Sequence, residues 1–168
     1  GFAQPLSFYA VYYRFQDKDW AKAKFGELNI SYLAGQIDGS CGSLQRCNGA
    51  SAGKVSGTVG FSQYGVTEPG GQTDTYHLGG GLEIHEYTHI AQAMQFIGKQ
   101  KDDQNFNYLP RWFIEGHAHI AGNTGAAKTL FDYQINRLQW LNTSPNQEIK
   151  SFEPVDIERF YASLMPGK

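Results

Sequence analysis

His85-Glu86-Tyr87-Thr88-His89 sets two imidazoles four residues apart, with a carboxylate directly after the first. On a helix, positions i and i+4 share a face, so both rings can reach one metal ion. Glu86, one residue on from the first ring, can work on a water held at that ion. Leu82, Ile90, Ala91, Met94 and Ile97 flank the motif at helical spacing and are available to pack.

Further along, the chain reads Pro110-Arg111-Trp112-Phe113-Ile114-Glu115-Gly116-His117-Ala118-His119. With the H-E-x-x-H stretch it resembles the gluzincin (thermolysin-like) zinc metallopeptidases, whose second metal helix carries a W-x-x-E-G-x-A pattern. Trp112, Glu115, Gly116 and Ala118 fill that pattern, and the likeness covers residues 82–122. The resemblance implies that Glu115 is the third protein ligand beside His85 and His89, and that one zinc ion is bound per chain. It also implies hydrolysis of a peptide bond, with a peptide or protein as substrate. Two histidines and one carboxylate with an open fourth position are what catalytic zinc uses.

Other zinc patterns fail on particular residues. A metzincin would need Gly at 92 and His at 95, where this chain has Gln92 and Gln95. The inverted order H-x-x-E-H is absent. A structural zinc finger needs four closed ligands, usually with cysteines, and Cys41 and Cys47 are the only two, both far upstream of the motif.

The chemistry expected of these residues is specific. An ion held by two neutral imidazoles and a carboxylate lowers the pKa of its water to about 7 and polarises a nearby carbonyl. Glu86 would take the water's proton during attack and deliver it to the leaving amine. The tetrahedral oxyanion needs a further donor, for which His117, His119, Tyr133 and Tyr161 are candidates. His119 stands four residues after Glu115, where thermolysin carries an Asp that orients a ligand histidine. The replacement leaves three roles open for His119: donor to a carboxylate, aid to the oxyanion, or alternative ligand. His117, offset by two from Glu115, should point off the metal face. His77 reads as a strand residue satisfied by local hydrogen bonds, and Trp112 and Phe113 as core packing. Four of the five histidines fall between residues 85 and 119, beside two carboxylates in apolar segments. Burying such groups unpaired costs several kcal/mol each, whereas one metal ion resolves them together. Two other functions fit the same residues: a metal-binding or interaction domain without turnover, and a zinc hydrolase of a non-peptide amide. An intact Glu86 weighs against the first, since a remnant has no need of a base there.

These residues need a scaffold to bring them together. At 168 residues the chain suits one domain, strand-rich over 1–80 and helical, with the metal site, over 81–168. The expected class is α+β, a twisted and mostly antiparallel N-terminal sheet followed by helices, as in the catalytic domain of the family it resembles. Strands are expected over Ser7–Phe15, Asn29–Leu33, Thr58–Ser62 and, bordering the cleft, Thr73–Leu78. A short helix capped by an Asp is expected over Asp17–Phe25. Longer helices should run from Gly81 to about Gly98 and from Pro110 to about Gly122. Two more are expected over Ala127–Leu141 and Pro154–Met165. Between Gly35 and Gly81 lie 13 of the 20 glycines, which suggests turns, a long hairpin or a flexible flap. Few residues follow Gly122, so the cleft is expected to be either open or completed by another domain or chain.

Charge and composition narrow the rest. A net charge of −2 with 18% charged residues argues against a nucleic-acid or membrane-surface role. No apolar run is long enough for a membrane span. Cys41 and Cys47 lie in a Gly/Ser-rich segment and read as a disulfide stapling a surface loop. That points to a secreted, cell-surface or periplasmic protein. The chain opens at Gly1 with no initiator Met and no signal-peptide pattern, and so reads as a mature or excised fragment.

Overall fold

The computed structural model describes residues 7–56, 59–67, 79–96 and 109–135, together with Val155. They form a mixed α+β fold in which an N-terminal sheet precedes the helices. The chain divides into two compact units, Gly1–Asp74 with Glu86–Asn105, and Thr75–His85 with Phe106–Lys168.

The first unit is built on a three-stranded sheet of β1 (Ser7–Tyr13), β4 (Ala50–Ser56) and β5 (Val59–Gly65), in the order β1-β5-β4. β5 pairs antiparallel with β4 but parallel with β1, from Ser7 opposite Val59 to Tyr13 opposite Gly65. The sheet is therefore mixed rather than mostly antiparallel. β5 follows β4 two residues on, whereas β1 is separated from it by two helices, a hairpin and β4, a connection long enough to bring the chain back in the same direction. β5 is central and buried along nearly its whole length.

Between β1 and β4 lie α1 (Lys18–Glu27), α2 (Ala34–Ser40) and a small hairpin of β2 (Cys41–Ser43) and β3 (Arg46–Cys47). Ala21 and Phe25, one helical turn apart on α1, are fully buried, and Phe25 meets Phe61 edge-on at 4.9 Å. Asp17 stands at the N-cap of α1, yet its side chain makes no capping bond and instead accepts from Arg14 Nε at 2.9 Å.

The strand expected over Asn29–Leu33 is absent. Asn29 adopts φ 58°, its N–H donates to the carbonyl of Gly26, and the N–H of Ile30 donates to that of Phe25. This pair of bonds around a left-handed residue is the Schellman helix end, and it is clamped by Ile30 and Phe25 in the same core. The chain is thereby turned into a 3-10 turn, Ser31–Leu33.

The described part of the glycine-rich segment is more regular than its composition suggests, since it holds α2, the hairpin, β4 and β5. Two of its glycines answer to close approach. A Cβ at Gly49 would stand 2.7 Å from Cα of Ser40, and one at Gly65 would stand 3.1 Å from the backbone of both Ser40 and Cys47. Gly49 N–H donates to the carbonyl of Ser40 at 2.9 Å, which fixes that approach. Cys41 and Cys47 are joined by a disulfide. Both are fully buried in the core with Val11, Ile37 and Phe61, so the bridge pins the interior rather than a surface loop.

One polar group is buried with them. Gln63 is fully enclosed; it accepts from the Tyr13 hydroxyl and donates to Ser40 Oγ at 2.7 Å and Ser51 Oγ at 2.9 Å. Such a satisfied set costs little, whereas losing one partner would strand the others. Burial pushes the Tyr13 hydroxyl up to about 12. From Glu86 onward, α3 (Gly81–Met94) also belongs to this unit and buries Ile90, Ala93 and Met94.

In the second unit, α4 runs from Arg111 to Ala126, past the end expected near Gly122. Gly122 continues the helix because it serves as one step of a buried ladder, Ile114, Ala118, Gly122 and Ala126, four residues apart. Residues 130–135 are helical. They start from a reciprocal cap in which Thr129 N–H donates to Asp132 and Asp132 N–H donates to Thr129 Oγ1. Leu130, Phe131 and Ile135, expected to pack, are exposed. The expected strand 73–78 with His77, as well as Ile97, Leu138, Leu141 and Tyr161, lie outside the described residues. Of the expected helix 154–165 only Val155 is described, and it is helical. No helix among the described residues is long and apolar enough to cross a membrane.

Gly49→Ala should lower the unfolding free energy by about 1–3 kcal/mol, measured by urea denaturation, because the backbone of Ser40 cannot move aside. Tyr13 has its folded pKa raised above the ordinary value of 10, so its contribution is complete below pH 10 and is lost as pH rises through about 12. Stability should therefore decline more steeply over that window in the wild type than in Tyr13→Phe.

Candidate metal centre

α3 begins at a glycine turn. Gly80 takes φ +79°, a conformation glycine adopts at no steric cost, and its carbonyl accepts from Ile84 N–H at 3.1 Å. One turn further on, His85 and His89 are both buried, at 7% exposure each. They share one face of an unbroken helix, so helical geometry alone sets their separation.

Glu115 is carried by α4. Pro110 occupies the position just before the helix, where its missing N–H leaves no bond unmade, and its carbonyl accepts from Phe113 and Ile114. Ile114 begins the buried ladder, which leaves Glu115 beside it with its side chain only 18% exposed. Glu115 Oε2 lies 3.5 Å from His85 Nε2. Two ligands each about 2.1 Å from a tetrahedral ion stand roughly 3.4 Å apart, so this pair is spaced to share one. The donor atoms of His85, His89 and Glu115 all lie within 4.8 Å of one another. Movements of about 1 Å would close the whole set on a single ion, and these three residues can hold a metal.

Other residues singled out in the sequence take distinct places. Glu86 is buried at 6% exposure, about 60° round the helix from His89. His119 is half-buried and turns its ring edge-on to that of His85, with centroids 4.6 Å apart, rather than joining the donor cluster. His117 is exposed and tilts against the ring of Phe113. Phe113 itself is 44% exposed, so it is not the core residue expected, whereas Trp112 is half-buried. Tyr133 is half-buried in the helical stretch after Thr129.

Gln92, which breaks the metzincin pattern, has a place of its own beside His89. It is 6% exposed, and its Oε1 lies 2.9 Å from Nδ1 of His89. The signal available in the sequence is its spacing, three residues after the second histidine and therefore on the same helical face.

His85→Ala or Glu115→Ala should weaken divalent-metal binding by more than about 100-fold, exceeding what is lost when only a ligand's supporting partner is removed. Chelator competition on the purified chain, with metal content by mass spectrometry, measures this. No protein-family model, curated protein or solved structure matches this chain.

Proposed function

We propose that this protein is a zinc-dependent hydrolase that cleaves peptide bonds, of the gluzincin type its motifs resemble. The observation that carries the reading is the approach of Glu115 to His85 at 3.5 Å, with His89 one turn away. The carboxylate lies 30 residues from that histidine in sequence, and chance gives no reason for it to face a buried imidazole. Two imidazoles and one carboxylate favour zinc over harder ions such as magnesium or calcium, which prefer oxygen ligands throughout.

His85, His89 and Glu115 would hold the ion and leave one position for substrate or water. When bound, zinc supplies a Lewis acid that makes water nucleophilic at neutral pH and polarises a carbonyl. Glu86 would accept the proton of the attacking water and return it to the departing amine, the two halves of general base and general acid catalysis. Its burial supports this role by keeping the transferred proton from leaking to solvent. His119, beside His85, is the candidate to donate toward the developing oxyanion. The buried disulfide supports a site of action outside the cytosol, where such bonds persist. The substrate is a peptide or protein.

Glu86→Gln should bind zinc as the wild type does while turnover of a mixed peptide library, followed by mass spectrometry, falls by about 10²–10⁴-fold. A zinc-loaded Glu86→Gln that cleaves at the wild-type rate would overturn the assignment.

A further inference from the structure

We propose that Gln92 is a positioning residue for the metal centre, its side-chain carbonyl fixing the tautomer of His89. This rests on the reading of His85, His89 and Glu115 as zinc ligands.

Neutral imidazole carries one N–H and one lone pair, and whichever nitrogen holds the proton cannot bind a metal. His89 Nδ1 lies 2.9 Å from Gln92 Oε1, within hydrogen-bond range, and both side chains are buried. An amide oxygen can only accept, so Nδ1 must donate, and the lone pair is then on Nε2. Were the amide turned to offer its NH₂ group, Nδ1 would have to accept and Nε2 would carry the proton. Metal binding through Nε2 and the carbonyl orientation of Gln92 therefore require each other. Metal-bound histidines commonly donate their second nitrogen to a carboxylate, a carbonyl or water. Here the partner comes from the same helix, three residues on, so the ring is oriented by α3 itself.

A neutral acceptor has a consequence of its own. A carboxylate would make the imidazole more basic and a stronger donor to the ion. The amide orients the ring while adding no charge, which leaves the ion more electron-poor.

The experiment compares zinc affinity of the full chain with Gln92→Met, which keeps the volume and removes the acceptor, and with Gln92→Glu, which keeps an acceptor. Competition against a chromogenic chelator gives the affinity. Nitrogen-detected NMR of the ¹⁵N-histidine-labelled, zinc-loaded chain gives the tautomer of His89. Wild type should show the proton on Nδ1. Gln92→Met should bind zinc about 10–100-fold more weakly, and Gln92→Glu at least as tightly as wild type. A Met variant with wild-type affinity, or Met and Glu variants weakened alike, overturns the inference while leaving the zinc site standing. Zinc-loaded wild type with the proton on Nε2 of His89 overturns it equally. Wild-type chain that takes up no zinc overturns the metal-centre reading itself, and this inference falls with it.

Discussion

The candidate metal centre depends on a carboxylate of α4 being kept 3.5 Å from an imidazole of α3. Without a cation, an acceptor and a ring withdrawn from water gain little from each other, and their desolvation has to be offset elsewhere. Packing offsets it. The Ile114–Ala118–Gly122–Ala126 ladder is buried along α4, and the side chain of Ile84 lies against Gly125, where a Cβ would meet it. Ile84 directly precedes His85, so the fit of an aliphatic side chain over a glycine helps set where the ring of His85 stands.

Packing in the N-terminal unit holds the other end of the histidine pair. Ile90, Ala93 and Met94 bury one side of α3 beyond His89, while Gln92 keeps a polar group inside at no net loss by bonding to the ring. The same solution recurs deeper in that unit, where Gln63 is enclosed but shared among Tyr13, Ser40 and Ser51. In both places a buried amide specifies the orientation of its neighbours, which an apolar residue of the same size would not do.

Much of this is legible in the sequence because it depends on local spacing. The i, i+4 histidines, the apolar positions around them and the proline before α4 all state their helices directly. Glu115 is legible only through the pattern that surrounds it, since nothing local ties it to His85. Misreadings arise where tertiary contacts override composition. Asn29–Leu33 alternates like a strand, but Asn29 can adopt the left-handed conformation and Ile30 is drawn back onto Phe25. Gly122 reads as a helix end, yet its smallness is used for burial within the helix. The parallel pairing of β1 with β5 leaves no local trace, because a pairing partner so distant in the chain is chosen by the core that both strands share.

The placement of Cys41 and Cys47 bears on how long the folded molecule lasts. Neither sulfur presents any surface, and thiol–disulfide exchange needs an in-line approach by an attacking thiolate. Small-molecule reductants meet no target until the strands around the bridge come apart. The lifetime of the bond in a reducing medium is thus governed by the rate at which this unit opens rather than by the potential of the surroundings. A covalent link becomes a clock for unfolding: loss of the bridge records that the core has been breached, and its persistence records that it has not.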